Sequence, residues 1–201
     1  MRLKDKVAIV TGGAQGFGEG IAARFVAEGA EVVVADLNEA GAKSVAAKLG
    51  KAAVACRADV TKSADVKAMV ALAQNAFGRL DILVNNAGTT HVNKPMLDVT
   101  EAEFDRIFAV NVKGIFLAAL HAVPVFRKLG GGVFLNIAST AGLRPRPGLT
   151  VYNSSKGAVN VMTKSMAVEF APDKIRVNAL CPVAGDTPLL ASFLGTNTRE
   201  A

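Results

Sequence analysis

The chain has 201 residues, of which 51% are hydrophobic, 20% are charged and 5% are aromatic, and its formal net charge is +6. This length suits one domain with a substantial core, and the apolar content excludes a disordered chain. The basic residues are spread along the sequence, with one Tyr and no Trp, so nothing indicates a nucleic-acid partner. We therefore expect a single globular domain, residues 1–201, that binds no nucleic acid.

Membrane and export signals are not found among the sequence patterns. The longest apolar runs, such as Val7–Val10 and Ile115–Leu120, are far shorter than the roughly 20 residues that span a bilayer. The first six residues are charged and lead directly into a strand pattern, unlike a signal peptide. Cys56 and Cys181 lie in apolar contexts without metal-binding spacing, which is typical of thiols in a reducing compartment. We expect a cytoplasmic protein with no membrane partner.

Short β-branched runs alternate with helical patterns along the chain. Strands are predicted at 7–11, 31–36, 52–57, 82–85, 132–137 and 175–180, and helices at 19–28, 38–49, 63–77, 101–126 and 152–170. The fourth helix is expected to bend near Asn111. This alternation is typical of βαβ units and a parallel sheet, and the nearly continuous apolar strands indicate burial under helices on both faces. The predicted fold is therefore α/β, a doubly wound parallel sheet in three layers.

A glycine-rich segment, Thr11-Gly12-Gly13-Ala14-Gln15-Gly16-Phe17-Gly18, joins the first strand to the first helix. A loop in this place presents backbone N–H groups and a helix N-terminus to a pyrophosphate. Asp36 ends the second strand, 18 residues after Gly18, close to the ~20 expected for a carboxylate that binds an adenosine ribose. An ordinary glycine turn explains the loop alone, but the βαβ setting and Asp36 favour dinucleotide binding.

A short polar motif, Asn85-Asn86-Ala87-Gly88, follows the fourth predicted strand. Ligands of open α/β sheets bind at the carboxyl ends of the strands, so the motif stands where binding residues are expected. The same four residues also make a good turn. Taken alone, the motif favours the turn.

Tyr152 and Lys156 are four residues apart in a helical pattern, which places both side chains on one face. A phenol with an ordinary pKa of about 10 is a poor acid or base at neutral pH, and a neighbouring ammonium favours its phenolate. Ser139 follows the strand that ends at Ile137, where its hydroxyl could hold a substrate oxygen beside Tyr152. An isolated Tyr-x-x-x-Lys pair is more often ordinary packing, but this context favours an acid/base site.

Taken together, these motifs resemble those of the short-chain dehydrogenase/reductase family. Thr11-Gly12-x-x-x-Gly16-x-Gly18 resembles its cofactor loop, Asn85–Gly88 its central-strand motif, and Ser139 with Tyr152-x-x-x-Lys156 its active site. Asn111 matches the family's fourth catalytic position. The motifs occur in the family's order, and the resemblance covers about residues 6–188. It implies a Rossmann-like fold and hydride transfer between a nicotinamide and a carbonyl or alcohol.

The resemblance implies a role for each catalytic residue. Tyr152 would be the general acid in reduction and the base in oxidation, and Ser139 would polarise the carbonyl oxygen. Lys156 would bind the nicotinamide ribose and lower the pKa of Tyr152, while Asn111 would hold a water that links Lys156 to solvent. The residues expected to contact the cofactor are Gly12, Gln15, Gly16, Phe17, Gly18, Asp36, Leu37, Asp59, Val60, Asn86, Ala87, Gly88, Tyr152, Lys156, Pro182 and Thr187.

The expected cofactor is NAD in preference to NADP. Asp36 would repel the 2′-phosphate that distinguishes NADP. No basic residue occurs at Ala14, Gln15 or Leu37 to attract that phosphate.

The carboxyl-terminal part departs from the family pattern in two ways. Val183 stands where the family usually has Gly after Pro182, although Pro182 and Thr187 still resemble residues that meet the nicotinamide carboxamide. Family members normally continue into another helix, a seventh strand and a closing segment, whereas this sequence ends soon after Gly195. We therefore do not expect the usual seventh strand in these 201 residues, and we expect an incomplete substrate lid.

The resemblance implies assembly and substrate only in outline. Relatives pair two long helices across a two-fold axis, here 112–127 and 152–170, so a homodimer or homotetramer is expected. The substrate would be a small carbonyl or alcohol: a 3-oxoacyl thioester, a sugar or polyol, and a hydroxy acid or ketone all remain open. Arg144 and Arg146 either face the cleft and favour an anionic group or are solvated loop charges, and we prefer the second interpretation.

Two other functions share parts of this pattern. A dinucleotide-binding protein of the same fold with weak or lost catalysis fits an incomplete lid, but the intact catalytic residues argue against it. A nucleotide-binding transferase shares the glycine loop and the acid, but it has no need of a Tyr–Lys pair. A metal site is not expected, because His91 and His121 are far apart and lack nearby ligand residues.

Overall fold

The computed structural model describes residues 1–195, and six parallel strands form its central sheet. The strands are β1 (Val7–Thr11), β2 (Glu31–Asp36), β3 (Ala53–Arg57), β4 (Ile82–Asn85), β5 (Gly132–Ile137) and β6 (Ile175–Leu180). Their order across the sheet is β3-β2-β1-β4-β5-β6, which confirms the predicted doubly wound arrangement. Five strands have the predicted bounds, and β3 begins one residue later than predicted.

Seven α-helices connect and flank the strands within the same residues. They are α1 (Gly16–Ala27), α2 (Glu39–Leu49), α3 (Ser63–Phe77), α4 (Glu101–Phe108), α5 (Gly114–Leu129), α6 (Thr150–Glu169) and α7 (Leu190–Phe193). The first helix begins three residues earlier than predicted, because the glycine loop turns directly into a helix at Gly16. The last has only four residues, too few for a helical periodicity to predict it.

Alternate residues of β1 pack into two separate cores. Val7 and Ile9 belong to a core built with α3, α5 and α6, whereas Ala8 and Val10 belong to one built with α1 and α2. All four side chains are buried. Burial on both faces explains why the strand reads as an unbroken apolar run.

The sheet is covered unevenly on the face where α1 and α2 lie. In β6, Ile175 and Val177 are buried with the α5 and α6 side, while Arg176, Asn178 and Leu180 are exposed on the other. The prediction that helices cover both faces is therefore wrong for this edge of the sheet within residues 1–195. The reason is that α1 and α2 pack on β1, β2 and β3, and no described helix covers β6 on that face.

One long helical segment runs from α4 into α5, interrupted at Ala109–Lys113 by a wider π-helical turn. The sequence predicted a bend near Asn111, and the π-helical turn lies at this position. Such turns inside α-helices are frequent at functional sites. Here the turn contains the buried side chain of Asn111.

The combined segment Glu101–Leu129 is long and apolar enough to cross a membrane by length and composition alone, which the individual apolar runs of the sequence did not reveal. Half of its most apolar stretch is buried inside the fold. Ile115, Ala118 and Phe126 belong to the core beneath the sheet. Core packing therefore accounts for the apolar character of the buried half.

The glycine loop after β1 and the polar motif after β4 meet where the strand order reverses. β1 pairs with β2 on one side and with β4 on the other. Connections that leave these strands run in opposite directions, so a crevice opens at the carboxyl ends of the strands.

Candidate active site

Glycines shape the loop between β1 and α1. Gly12 and Gly16 have positive φ angles of 62° and 57°, a region that favours glycine. A Cβ atom on Gly12 would lie 2.9 Å from the Cα atom of Ala87, and one on Gly16 would lie 3.2 Å from the Thr187 side chain. The loop therefore needs glycine for its conformation and for the narrow space around it.

Gly18, which was predicted to contact the cofactor, packs against the glycine loop. It is buried in the first turn of α1, where a Cβ atom would overlap the carbonyl oxygen of Gly12. The surface of the cleft does not include it. Gly18 therefore lets the helix pack beneath the loop, whereas the sequence predicted a direct contact with the cofactor.

Thr11 and Asn86 hold the ends of β1 and β4 together. The side-chain amide of Asn86 donates to the carbonyl oxygens of Thr11 at 2.9 Å and Gly12 at 3.0 Å. The Thr11 hydroxyl accepts from the backbone N–H groups of Asn86 and Ala87, and donates to the carbonyl oxygen of Val84. These bonds fix the distance between the two loops that border the cleft.

Asp36 lies at the carboxyl end of β2 and lines the cleft. One carboxylate oxygen accepts from the backbone N–H of Ala14 at 3.0 Å, and the other accepts from that of Asn38 at 2.8 Å. Each oxygen of an ionised carboxylate can accept a second hydrogen bond. The carboxylate is therefore held in one orientation and can still accept from ribose hydroxyls.

A cleft of about 750 Å³ opens along the carboxyl ends of the strands. Of the residues predicted to contact a cofactor, it is lined by Gly12, Gln15, Gly16, Phe17, Asp36, Leu37, Asp59, Val60, Asn86, Ala87, Gly88, Tyr152, Lys156 and Thr187. Residues predicted from six separate parts of the sequence are thus brought to one surface.

Lys156 is almost completely buried at one end of this cleft. Its ammonium donates to the carbonyl oxygen of Ile137 at 2.7 Å. Burial lowers the pKa of Lys156 to about 8, an effect that Cys181 partly opposes. A buried amine with this pKa changes its charge under mildly alkaline conditions.

Asn111 lies beneath the loop that follows β4. Its amide nitrogen donates to the Thr89 carbonyl oxygen at 3.0 Å and to the Ser155 hydroxyl at 2.9 Å, while its oxygen accepts from the Thr89 N–H. A Cβ atom on Gly88 would lie 3.5 Å from the Asn111 oxygen and 3.6 Å from the Lys156 nitrogen. Both donors of Asn111 are therefore used within the protein, and the second acceptor position of its oxygen is the one that suits a water.

Tyr152 stands at the boundary between the cleft and a smaller cavity that contains Ser139. Burial raises the pKa of Tyr152 above its ordinary value, and a hydrogen bond with Ser139 partly opposes this rise. The Lys156 nitrogen is 5.8 Å from the centroid of the Tyr152 ring. Burial is therefore the largest influence on the Tyr152 pKa in this structure.

The smaller cavity has a volume of about 100 Å³ and shares Phe17, Tyr152, Thr187 and Leu189 with the cleft. Pro182, which was predicted to contact the cofactor, lines this cavity and not the cleft. Most of the remaining lining is apolar. The arrangement suits a small substrate held next to the Tyr152 hydroxyl.

Sequence reasoning missed part of the cleft. The additional lining residues are Ala58, Thr61, Thr89, Arg106, Ala109, Val110, Pro188 and Leu189. Arg106 donates to the Thr89 hydroxyl at 2.6 Å and to the Thr90 carbonyl oxygen at 3.0 Å, so it fixes the loop after β4 and adds a positive charge. Nothing in the sequence distinguishes a single Arg that lines a cleft from one on the solvated face of an amphipathic helix.

The residues present fit a nicotinamide dinucleotide. The glycine cradle leaves space that any Cβ atom would fill, the N-terminus of α1 borders it, and Asp36 and Lys156 line the same cleft. Among residues 1–195, no group of three or more His, Cys, Asp or Glu side chains could hold a metal ion. Fold and site together define a dinucleotide-dependent oxidoreductase.

Comparisons with known proteins agree with this class. A family model described as short chain dehydrogenase matches residues 6–197, and the chain belongs to this family. It is 51% identical to 4-formylbenzenesulfonate dehydrogenase of Comamonas testosteroni, over 100% of this chain and 81% of that protein. It is 43% identical to 2-(R)-hydroxypropyl-CoM dehydrogenase of Xanthobacter autotrophicus, over 92% of this chain and 76% of the relative.

Solved structures show the same relationship. The crystal structure of 3-ketoacyl-(acyl-carrier-protein) reductase from Brucella melitensis, complexed with NADH, matches with a TM-score of 0.94 and 50% identity. The match covers 96% of this chain and 81% of that one. The protein is therefore an oxidoreductase of the short-chain dehydrogenase family that uses a nicotinamide dinucleotide and acts on a small-molecule substrate.

Proposed function

We propose that the protein interconverts a small carbonyl compound and the corresponding alcohol, with Tyr152 as general acid and base. The observation that carries this proposal is the position of Tyr152, whose ring lines both the dinucleotide cleft and the cavity of Ser139. A group in this position can exchange a proton with a substrate that lies against the cofactor.

Each neighbouring residue has a separate part in the proposed reaction. A nicotinamide bound in the cleft would supply or accept the hydride. Ser139 donates a hydrogen bond to the substrate oxygen and stabilises negative charge there. Lys156 binds the nicotinamide ribose, and Asn111 orients a water near it.

The pKa of Tyr152 bears on the direction of proton transfer. A buried phenol with a raised pKa is protonated at neutral pH, which suits the donor in carbonyl reduction. For alcohol oxidation, the positive charge of Lys156 must help to stabilise the phenolate. Tyr152 therefore serves both reduction and oxidation, and the oxidation requires the charge of Lys156.

Turnover with a panel of carbonyl compounds tests this function. Purified protein, NADH and aldehydes or ketones should show substrate-dependent loss of the NADH absorbance, and the matching alcohols should reduce NAD. Tight binding of NADH without turnover of any compound would instead support the alternative of a dinucleotide-binding protein with lost catalysis.

We propose NAD as the preferred cofactor over NADP. The Asp36 carboxylate is fixed by two backbone N–H groups at the cleft surface, where it would accept from ribose hydroxyls and repel a 2′-phosphate. Binding titrations with both dinucleotides at ordinary salt test this preference, and tighter binding of NADP would contradict it.

We propose a homodimer as the basic assembly, with a homotetramer as the alternative. Apolar side chains on α5 and α6 support an interface between copies, because Phe116, Leu120, Val161 and Val168 are all more than half exposed. Light scattering should give twice the chain mass. Phe116→Glu should lower the measured mass toward that of one chain, and an unchanged mass would contradict this interface.

We propose the cytoplasm as the location of the protein. Cys56 and Cys181 are both free thiols, which is typical of a reducing compartment. Fractionation of cells that express the whole protein tests the location, and recovery from an oxidising compartment would contradict it.

A further inference from the structure

The smaller cavity beside Ser139 has one charged residue in its lining, Arg146. Phe17, Leu149 and Phe193 provide apolar walls. The ring of Phe193 lies 5.1 Å from that of Tyr152, centroid to centroid, at an interplanar angle of 58°. The residues that line the cavity therefore include a proton donor, aromatic rings and a single basic residue.

The loop that carries Arg146 is fixed relative to the active site. Pro145 and Pro147 flank the residue and restrict the backbone on both sides. Three hydrogen bonds hold the loop: Asn153 Nδ2 donates to the Arg146 carbonyl oxygen at 2.8 Å, Asn93 Nδ2 to that of Pro147 at 3.1 Å, and the Lys94 N–H to that of Gly148 at 3.0 Å. Because Asn153 directly follows Tyr152 in α6, the position of the loop relative to Tyr152 is fixed.

The guanidinium of Arg146 has no carboxylate partner among residues 1–195. The ion pairs of this part of the chain involve other basic residues. Arg144, two residues earlier, is also exposed but lines neither the cleft nor the cavity. Both arginines are exposed, as expected of loop charges, but of the two only Arg146 lines the cavity.

We infer that Arg146 determines substrate specificity by binding an anionic group, such as a carboxylate, on a substrate with a ring-sized apolar body. A guanidinium donates two parallel hydrogen bonds to a carboxylate, while the aromatic walls contact the body of the substrate. This inference rests on the proposed function, because it assumes that the substrate occupies the cavity of Ser139 and Tyr152.

Calorimetry of the enzyme saturated with NAD tests the inference without turnover, because an aldehyde cannot accept hydride from the oxidised cofactor. The probes are 4-formylbenzoate and its neutral counterpart 4-formylbenzamide. The native protein should bind the anionic probe about five- to tenfold more tightly, a modest ratio because Arg146 is partly solvated. Arg146→Gln should remove this preference and leave the affinity for the neutral probe nearly unchanged.

Arg144→Gln is the matched control, since it removes the same charge from the same loop outside the cavity. It should retain the preference of the native protein. Equal affinity of the native protein for both probes, binding of neither probe at millimolar concentration, or equal effects of the two Arg substitutions would overturn the inference.

The same variants separate this inference from the proposed function. If NADH reduces neither probe although the anionic preference depends on Arg146, the anion site stands and the proposed reaction fails. If both probes are reduced with equal efficiency by the native protein and by the Arg146→Gln variant, the reaction stands and the anion site fails.

Discussion

The polar and charged groups are arranged differently at the two ends of the parallel sheet. At the amino ends of β1 and β4, Asp81 accepts from the Val7 N–H at 3.0 Å, from Arg79 at 2.7 and 2.8 Å, and from Lys6 at 3.3 Å. Burial raises the pKa of this carboxyl, but hydrogen bonds from Arg79 and Val7 outweigh it, so the pKa is lower than usual. The charged groups at the amino ends of the strands are therefore paired with one another.

The carboxyl ends of the same strands keep their polar groups around an open cleft. Lys156 is buried beside a carbonyl oxygen and forms no ion pair within residues 1–195, and burial lowers its pKa to about 8. Tyr152 is buried with a raised pKa. Groups with shifted pKa values and no compensating ion pair are typical of functional sites. The comparison indicates that the amino end supplies stability and the carboxyl end supplies chemistry.

The largest expected effect is on turnover after Tyr152→Phe. The change removes the oxygen that transfers the proton and little else, so turnover should fall by about a hundredfold to ten-thousandfold. The affinity for NADH should stay within a few-fold, because the dinucleotide contacts remain. Steady-state kinetics and NADH titration check both values, and near-normal turnover would rule out the proposed mechanism.

At the amino end, Asp81→Ala should reduce the free energy of unfolding by about 2 kcal/mol, because it deprives Arg79 and the Val7 N–H of a buried acceptor. Urea denaturation measures this change, and turnover of the folded variant should be nearly normal. Asp173→Ala is the control. Its partner Arg127 is largely exposed, so the loss should be well under about 1 kcal/mol.

A smaller effect is expected on cofactor choice at the carboxyl end. Asp36→Ala should reduce the preference for NAD over NADP by about tenfold, since it removes both the ribose acceptor and the charge that repels a 2′-phosphate. Titration with both dinucleotides measures the ratio. An unchanged ratio would show that Asp36 serves only the backbone N–H groups of Ala14 and Asn38.

The smallest expected effect is the pH dependence of NADH binding. Because the pKa of Lys156 is lowered to about 8, its ammonium is present below that pH and is lost as the pH rises through it. NADH affinity should therefore fall several-fold, up to about tenfold, between pH 7 and 9. Lys156→Met should bind more weakly with a flatter profile, while Tyr152→Phe should keep the native profile. If NADH affinity falls equally with pH in the Lys156→Met variant, a group other than Lys156 causes the pH dependence.

The sequence predicted the strands better than their surroundings. The apolar run of β1 indicated burial on both faces, and the structure confirms it. In β6, Ile175 and Val177 alternate with Arg176 and Asn178, a pattern typical of a strand with one exposed face. The structure leaves Arg176 and Asn178 exposed.

The composition of the site was predictable from motifs, but its internal contacts were not. Spacing placed Tyr152 and Lys156 on one helix face, and strand ends placed Asp36 and Ser139 near them. The separation of Gly18 from the cleft depends on three-dimensional packing against Gly12. The pKa of Tyr152 depends in the same way on how deeply the ring is buried, which sequence spacing does not specify.

Hydrogen–deuterium exchange with and without NADH compares the two ends of the sheet directly. We expect slower exchange in peptides that contain residues 11–18 and 85–90, because the dinucleotide covers the loops at the carboxyl ends of β1 and β4. Peptides that contain residues 78–82 at the amino ends should exchange at unchanged rates. Protection that appears at the amino ends while the glycine loop remains unprotected would contradict the assignment of the site.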